Sequence, residues 1–221
     1  EFTLIVTAES AYATRILVRP YESVEQDPLN ARRLALLNRI TTASPPLATE
    51  VAIGQTVPEF ALTNQAHRVI SFSQLRGKVA AVNFIYTSCA LPQFCLRTAN
   101  NFGVLQKRFA RELGRDLVLL SVTFDPARDT PDVLAQYASQ WKANAATWHF
   151  LTGESREVQR VGQIFGMAFF PNEGLFDHSL RTAVVDREGL LVANLEGNQF
   201  TAAQLGDLIQ SVLSGPVKKR D

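Results

Sequence analysis

Two runs, VAAVNFIY (Val79–Tyr86) and LVLLSVTF (Leu117–Phe124), set the terms for what this chain can fold into. Both are almost wholly apolar and rich in β-branched residues, without the alternation of a strand that faces water on one side. Such a run is a strand covered on both faces. Between them Phe102, Leu105 and Phe109 recur at helical spacing, so a helix is expected over about 98–113. A buried strand, a helix and a second buried strand make a crossover unit, and the two strands are expected to lie adjacent and parallel.

The same alternation continues downstream. Asp129-Thr130-Pro131 is a good helix N-terminus, with a capping side chain and a proline at the first helical position, and the helix should run to about Trp141. Further helices are expected over Ser155–Phe165 and Ala202–Leu213. Arg181–Val185 and Leu190–Asn194 flank the turn Asp186–Gly189 as a hairpin. The fold class is therefore α/β, a central mixed β-sheet flanked by helices.

Residues 1–48 read differently. Phe2–Thr7 and Tyr12–Val18 are expected to be strands around a polar turn at Glu9-Ser10. Asp27-Pro28 opens a short amphipathic helix over about 28–41, carrying Leu34, Leu37 and Ile40, and Thr41–Ala48 with its Pro45-Pro46 is a linker. The expected organisation is an accessory segment at 1–48, a main domain at 49–214 and a tail at 215–221. A chain of 221 residues, 46% hydrophobic and 19% charged, can bury one good-sized core.

Charge narrows the partners. A formal net charge of +1 leaves no basic excess to displace counterions, so nucleic acid is not expected. The Lys218-Lys219-Arg220 run follows Pro216 and reads as a solvated tail. No stretch reaches the roughly 18 apolar residues of a spanning helix, so membrane contact would come through an anchor outside this sequence. The chain opens at Glu1 inside an apolar run, as a mature or truncated form would.

Cys89 and Cys95 are the only cysteines, in YTSCALPQFC just past the first buried strand. A close pair fits redox or metal chemistry better than a disulfide framework. The carboxyl end of a strand in an open α/β sheet is where ligands bind, and a nearby helix N-terminus favours the thiolate. On one continuous helix the two side chains would sit about 120° apart and about 9 Å along the axis, too far to share a metal or a disulfide. Leu91, however, precedes Pro92, and a pre-proline residue avoids the helical region. Ala90–Pro92 is therefore expected to be a loop that folds Cys95 back, so that mild oxidation can join the two. Two inert buried cysteines are the ordinary alternative.

Of three histidines, His67 in NQAHRVI reads as a solvent-facing turn residue, and His149 between Trp148 and Phe150 as a hydrogen-bonded core residue. His178, in DHSLRTAVVD, sits in a loop feeding the strand expected beside the central one, within reach of the cysteine loop. Two thiolates and one imidazole form a soft, three-coordinate set suited to copper(I), with zinc the competitor and copper(II) a second state of the same site. Met167 reads as core packing. Asp177 either orients the imidazole or caps a turn.

Read together, the strand followed by TSC and a second cysteine, FDPARDTPDVLAQYA (Phe124–Ala138), LTGESREVQRVGQIFG (Leu151–Gly166) and FDHSLRTAVVDREGLLV resemble the Sco/SenC family over about Val57 to Leu213. VPEFALTNQ and LRGKVAAVNF are similar to thioredoxin-like domains broadly; DPARDTPDVL with DHS resembles this family in particular. The resemblance implies a thioredoxin-like fold with copper held by Cys89, Cys95 and His178, Asp125 behind those ligands, and the two cysteines as a redox pair. Family members assist assembly of the dinuclear copper site of cytochrome c oxidase, as metallochaperones, as thiol reductants, or as both. The implied partner is the copper-site subunit of that oxidase or another copper protein, and the implied location is periplasmic or otherwise extracytoplasmic. A metallochaperone is implied rather than an enzyme, with thiol-disulfide reductase activity left open. One departure stands out. The usual motif is C-x-x-x-C followed by proline, whereas here five residues intervene, Leu96 follows, and the proline lies inside the loop at Pro92.

Other readings compete. A thiol-disulfide oxidoreductase would carry C-x-x-C and a proline just ahead of the Arg181 strand, and neither is present. A thiol peroxidase would use Cys89 as peroxidatic and Cys95 as resolving residue, with Thr87 nearby, but the proline-led motif is missing. A structural zinc module lacks a fourth ligand. FTLIVT and ATRILVRPY faintly resemble the closing strands of small copper-binding β-barrels, although an added hairpin is the plainer reading.

Overall fold

The computed structural model describes residues 48–89, 92–172 and 175–215, together with the strands β1 (Thr3–Val6) and β2 (Ala11–Thr14). The chain divides into two compact units, residues 1–46 and 47–221. In the first, β1 and β2 pair antiparallel, Thr3 opposite Thr14 and Val6 opposite Ala11. The helix expected over 28–41, nearly all of the linker after it and the tail beyond Gly215 lie outside the described residues.

The second unit is built on a seven-stranded mixed sheet. The short strands β3 (Ala61–Asn64) and β4 (Val69–Ser71) form a hairpin at one edge, followed by a 3₁₀ turn at Phe72–Leu75. The two apolar runs become β5 (Val79–Ile85) and β6 (Leu117–Thr123), parallel and in register from Val79 opposite Leu117 to Ile85 opposite Thr123. Helix α1 (Arg97–Arg108) joins them, and α2 (Pro131–Gln140) leads from β6 to β7 (Trp148–Thr152), which is parallel to β6. After α3 (Ser155–Ile164) comes a separate two-stranded hairpin, β8 (Phe169–Asn172) and β9 (Leu175–His178). Strands β10 (Arg181–Val185) and β11 (Leu191–Glu196) then return to the main sheet, and α4 (Ala202–Ser214) ends the described chain. The order across the sheet is β11-β10-β5-β6-β7-β3-β4, with β10 antiparallel to β5.

The core lies on both faces, as two almost wholly apolar central strands, buried along their whole length, require. Ala80, Val82 and Phe84 of β5 share one face with Val118, Leu120 and Val122 of β6, packed with Val158, Val161 and Ile164 of α3. Val79, Ala81 and Ile85 face the other way, with Phe102 and Leu105 of α1, Leu134 of α2 and Ile209 of α4. Helix α1 stops at Arg108, short of the expected 113; Phe109 is buried beyond its end.

Two local devices hold the far edge. The Gln65 side chain acts as a short strand: its Nε2 donates to the Trp148 carbonyl at 2.8 Å and its Oε1 accepts from the Phe150 N–H at 2.9 Å. Beside it Asn64 Nδ2 donates to His149 Nδ1 at 3.2 Å, making His149 the hydrogen-bonded core residue expected of it.

Candidate metal centre

β5, β6 and the β8–β9 hairpin bring the chemistry together at the carboxyl end of the two parallel strands. β5 ends at Ile85, whose carbonyl accepts from the Phe124 N–H at 3.0 Å, so the two strands terminate side by side. The chain then turns, and the Cys89 N–H donates to the Tyr86 carbonyl at 3.3 Å. Cys89 thus lies outside any helix. Pro92 opens a π-helical turn, Pro92–Leu96, that runs into α1 and carries Cys95. A π turn closes i→i+5 hydrogen bonds in place of i→i+4 and so widens the helix locally. Here the buried Thr98 hydroxyl donates to the Cys95 carbonyl at 3.0 Å, with the Phe94 carbonyl at 3.4 Å. Cys95 is fully buried, Cys89 is 9% exposed, and neither is disulfide-bonded. Residues 90 and 91 of the expected loop lie outside the described residues.

The Cys89 thiol is the hub of the site. It shares hydrogen bonds with the Cys95 thiol, the Tyr86 hydroxyl and the His178 imidazole. The bond to Cys89, reinforced by burial, drives the Cys95 thiol far above its ordinary range, so Cys95 is protonated at neutral pH. Burial, with Cys89 adding to it, pushes Tyr86 up to about 12.

His178 lies not in the loop that its sequence context predicts but in a strand. It is the last residue of β9, directly opposite Phe169. FFPN and LFDH are each only four residues long and the first contains Pro171, so neither shows a strand period. The His178 Nδ1–H donates to the Ser179 carbonyl at 2.8 Å, which leaves the lone pair on Nε2. Burial works against the imidazolium. Hydrogen bonds to Cys89 and the Ser179 carbonyl, with the charges of Cys89 and Asp177, outweigh it and hold the pKa above its usual value. Aromatic rings wall the imidazole: Phe124 at 4.9 Å between centroids, Tyr86 at 5.8 Å and Phe94 at 6.1 Å. Phe176 closes against both Tyr86 and Phe124 at 5.5 Å.

Cys89, Cys95 and His178 are therefore brought together, linked through Cys89. Among the described residues no three His, Cys, Asp or Glu side chains converge on one point as they stand. Asp177 precedes His178 in β9 and is exposed, its carboxylate accepting from Asn172 Nδ2 at 3.0 Å. Asp125 is buried at the head of the loop after β6, and its carboxylate pairs with Arg128 at 3.3 Å. Met167 is buried, with the Ser179 hydroxyl 3.5 Å from its sulfur, and His67 pairs with Asp132 at the surface.

Asp129, which the sequence places only at a helix N-terminus, proves to be the acid that touches the cysteine loop. Its fully buried carboxylate accepts from the Thr87 N–H at 3.1 Å, the Thr87 hydroxyl and the Thr123 hydroxyl. Burial raises its pKa and these bonds pull it back only in part. The signal in the sequence was a threonine two residues before Cys89 and another ending β6, which becomes meaningful only once β5 and β6 are known to end together.

A mixed sheet with helices on both faces, and a thiol pair behind its first parallel strand, defines a dithiol protein of thioredoxin-like fold. The chain belongs to the SCO1/SenC family, whose model matches residues 50–214. It is 27% identical to an SCO2-like protein of Rickettsia typhi over 172 residues, 71% of this chain and 79% of that one. It is 31% identical to the SCO1 protein homolog of Bacillus subtilis over 100 residues, 45% of this chain and 50% of that one. The structure of yeast Sco1 with copper bound superposes with a TM-score of 0.62 at 27% identity, covering 74% of this chain and 91% of that one.

Proposed function

We propose that this protein is a copper(I) metallochaperone with a redox-active thiol pair, holding its cargo between Cys89, Cys95 and His178. The observation that carries this reading is the Cys89 thiol hydrogen-bonded to both Cys95 and His178 at the end of β5. Two soft sulfurs and an imidazole whose Nε2 keeps its lone pair are a donor set for copper(I). Copper would take the place of protons now shared among these atoms, so loading releases protons. The aromatic wall keeps water from the metal, which favours the lower oxidation state. Relatives support the cargo and its destination: yeast Sco1 has been seen with copper bound, and BsSco, 25% identical with a TM-score of 0.63, is a member of the Sco family of cytochrome c oxidase assembly proteins. The partner is accordingly a copper-site subunit of cytochrome c oxidase or another copper protein. An extracytoplasmic compartment suits a thiol pair that cycles with its disulfide. Among the described residues no helix is long and apolar enough to cross a membrane.

The same two thiols can act as a reductant of a partner's disulfide, and this is part of the proposal. Peroxidase chemistry fits less well, because the Thr87 hydroxyl proton is committed to Asp129 rather than to a peroxide at Cys89. An anaerobic competitive copper(I) titration tests the reading. Wild type should take up one equivalent, and Cys89→Ser and Cys95→Ser should each lose tight binding. Tight binding that survives either change in a folded protein would defeat it.

A further inference from the structure

We propose that Asp129 is the positioning residue for Cys89: its carboxylate clamps the turn between β5 and Cys89 to the end of β6, and the reach of Cys89 to Cys95 and His178 depends on that clamp. The ordinary role for an acid in Asp129-Thr130-Pro131 is capping α2, but that role is filled by its neighbour. Thr130 is the N-cap, and its hydroxyl accepts from the Val133 N–H at 3.4 Å. The Asp129 carboxylate turns instead to Thr87 and Thr123, and two of its three bonds fall on the residue two positions before the thiol. Its own N–H donates to the Asp125 carbonyl at 2.9 Å, and the Asp125 N–H donates to the Thr123 hydroxyl at 3.0 Å. The loop after β6 is thus closed on itself, and the carboxylate ties it to Thr87 in the cysteine turn.

A fully buried carboxylate is costly unless every donor is in place. The geometry is therefore of an all-or-none kind: with Thr87 seated the acid is satisfied, and without it a buried oxygen is orphaned. Carboxylates that orient metal-site groups at one remove are commonly worth about 10–100-fold in affinity. Asp129 acts one step further back, through the backbone of the loop.

The test uses Thr87→Val, which keeps the shape and removes one donor, with Asp129→Asn and the double variant. Copper(I) affinity is read by anaerobic competition and the Cys89–Cys95 couple by equilibration with a thiol-disulfide buffer. Ile209→Ala, a cavity variant in α4 on the opposite face of the sheet, is the control for lost stability alone. The expected result is a fall of about tenfold or more in copper(I) affinity for Thr87→Val. The thiol-disulfide equilibrium should shift by a similar factor, about 30 mV for a two-electron couple. The double variant should be no worse than the more severe single one, because both break the same tie, and Ile209→Ala should move neither quantity. Wild-type affinity and potential in folded Thr87→Val would overturn the proposal, as would equal changes in Ile209→Ala. If Asp129→Asn does not fold, Thr87→Val decides. The proposal rests on the copper reading for one readout only: should wild type hold no copper(I), that reading fails, and the potential alone judges the clamp.

Discussion

His178 and His149 show how one residue type is set to opposite tasks by its surroundings. At His178 the Ser179 carbonyl fixes the Nδ1 proton and Cys89 draws the ring toward the charged form. Replacing His178 by Ala should leave two thiolates and weaken copper(I) binding by about tenfold or more, since even groups behind the ligands commonly count for that much. Competitive titration of the variant measures this, and an unchanged affinity in folded protein would take His178 out of the site. Because Cys95 is protonated at neutral pH, copper(I) uptake should release protons and tighten with pH, about tenfold per unit for each proton lost. His149 behaves otherwise. Burial, with help from Arg68 and Lys78, lowers its pKa below the ordinary value. Above about pH 6.5 it is neutral whether the chain is folded or not and contributes nothing to pH dependence. Below that the unfolded chain binds the proton first, so stability should fall as pH drops from about 6.5 through the lower folded value. His178 has the opposite sign, its contribution being lost as pH rises through its raised pKa. The measurement is therefore a difference: urea unfolding of wild type and His149→Gln between pH 7.5 and 5, in which only wild type should show the His149 loss.

At the scale of elements, α3 and the β8–β9 hairpin meet at a glycine that the site depends on. A methyl group added at Gly162 would lie 2.8 Å from the Phe169 ring, and Phe169 pairs directly with His178 and packs on Phe124 at 5.3 Å. Gly162→Ala must push that ring, and the hairpin with it. It should cost about 1–3 kcal/mol as overpacking does, and it should also weaken copper(I) binding, although residue 162 is far in sequence from every ligand. Denaturant unfolding beside a copper titration checks both; a stability loss with affinity intact would separate the hairpin from the site. The hairpin is also where the sequence was least legible. β5 and β6 announce themselves through seven-residue buried runs, and α2 through Thr130 and Pro131. β8 and β9 are too short for periodicity and contain Pro171, so His178 read as a loop residue. The π turn at Cys95 has no composition of its own, only the spacing between cysteines that a continuous helix could not reconcile. The residues alone left inert cysteines and metal ligands both open; the family pattern chose between them. Asp129 was hidden for a different reason: its partners are 42 and 6 residues away, and only the parallel register makes them neighbours.

For the whole molecule the question is which part of the chain the site needs. Both core clusters and every proposed ligand belong to the unit beginning at Leu47, and the described strands β1 and β2 belong to the other. The start of the larger unit is itself bonded in. The Ala48 N–H donates to Gln163 Oε1 at 3.0 Å and the Val51 N–H to the Ile164 carbonyl at 2.9 Å, holding the end of α3. The Gly54 N–H donates to the Leu191 carbonyl at 2.7 Å, and the Leu191 N–H returns a bond to the Gln55 carbonyl at 2.9 Å, covering the free edge of β11. Two truncations should therefore behave differently. A chain starting at Leu47 keeps all four bonds and is expected to unfold cooperatively and to bind copper(I) as the full chain does. A chain starting at Val57 loses all four and should be less stable by about 2 kcal/mol or more, at a net value of about 0.5–1.5 kcal/mol per bond. Its copper(I) affinity should still be close to that of the full chain under conditions where it is folded, because none of the four bonds touches β5, the π turn or β9. Urea unfolding ranks the stabilities and anaerobic titration ranks the affinities. A tenfold loss of affinity in folded 47–221 would show that residues 1–46 contribute to the metal site itself, and the ligand set would have to be sought beyond Cys89, Cys95 and His178.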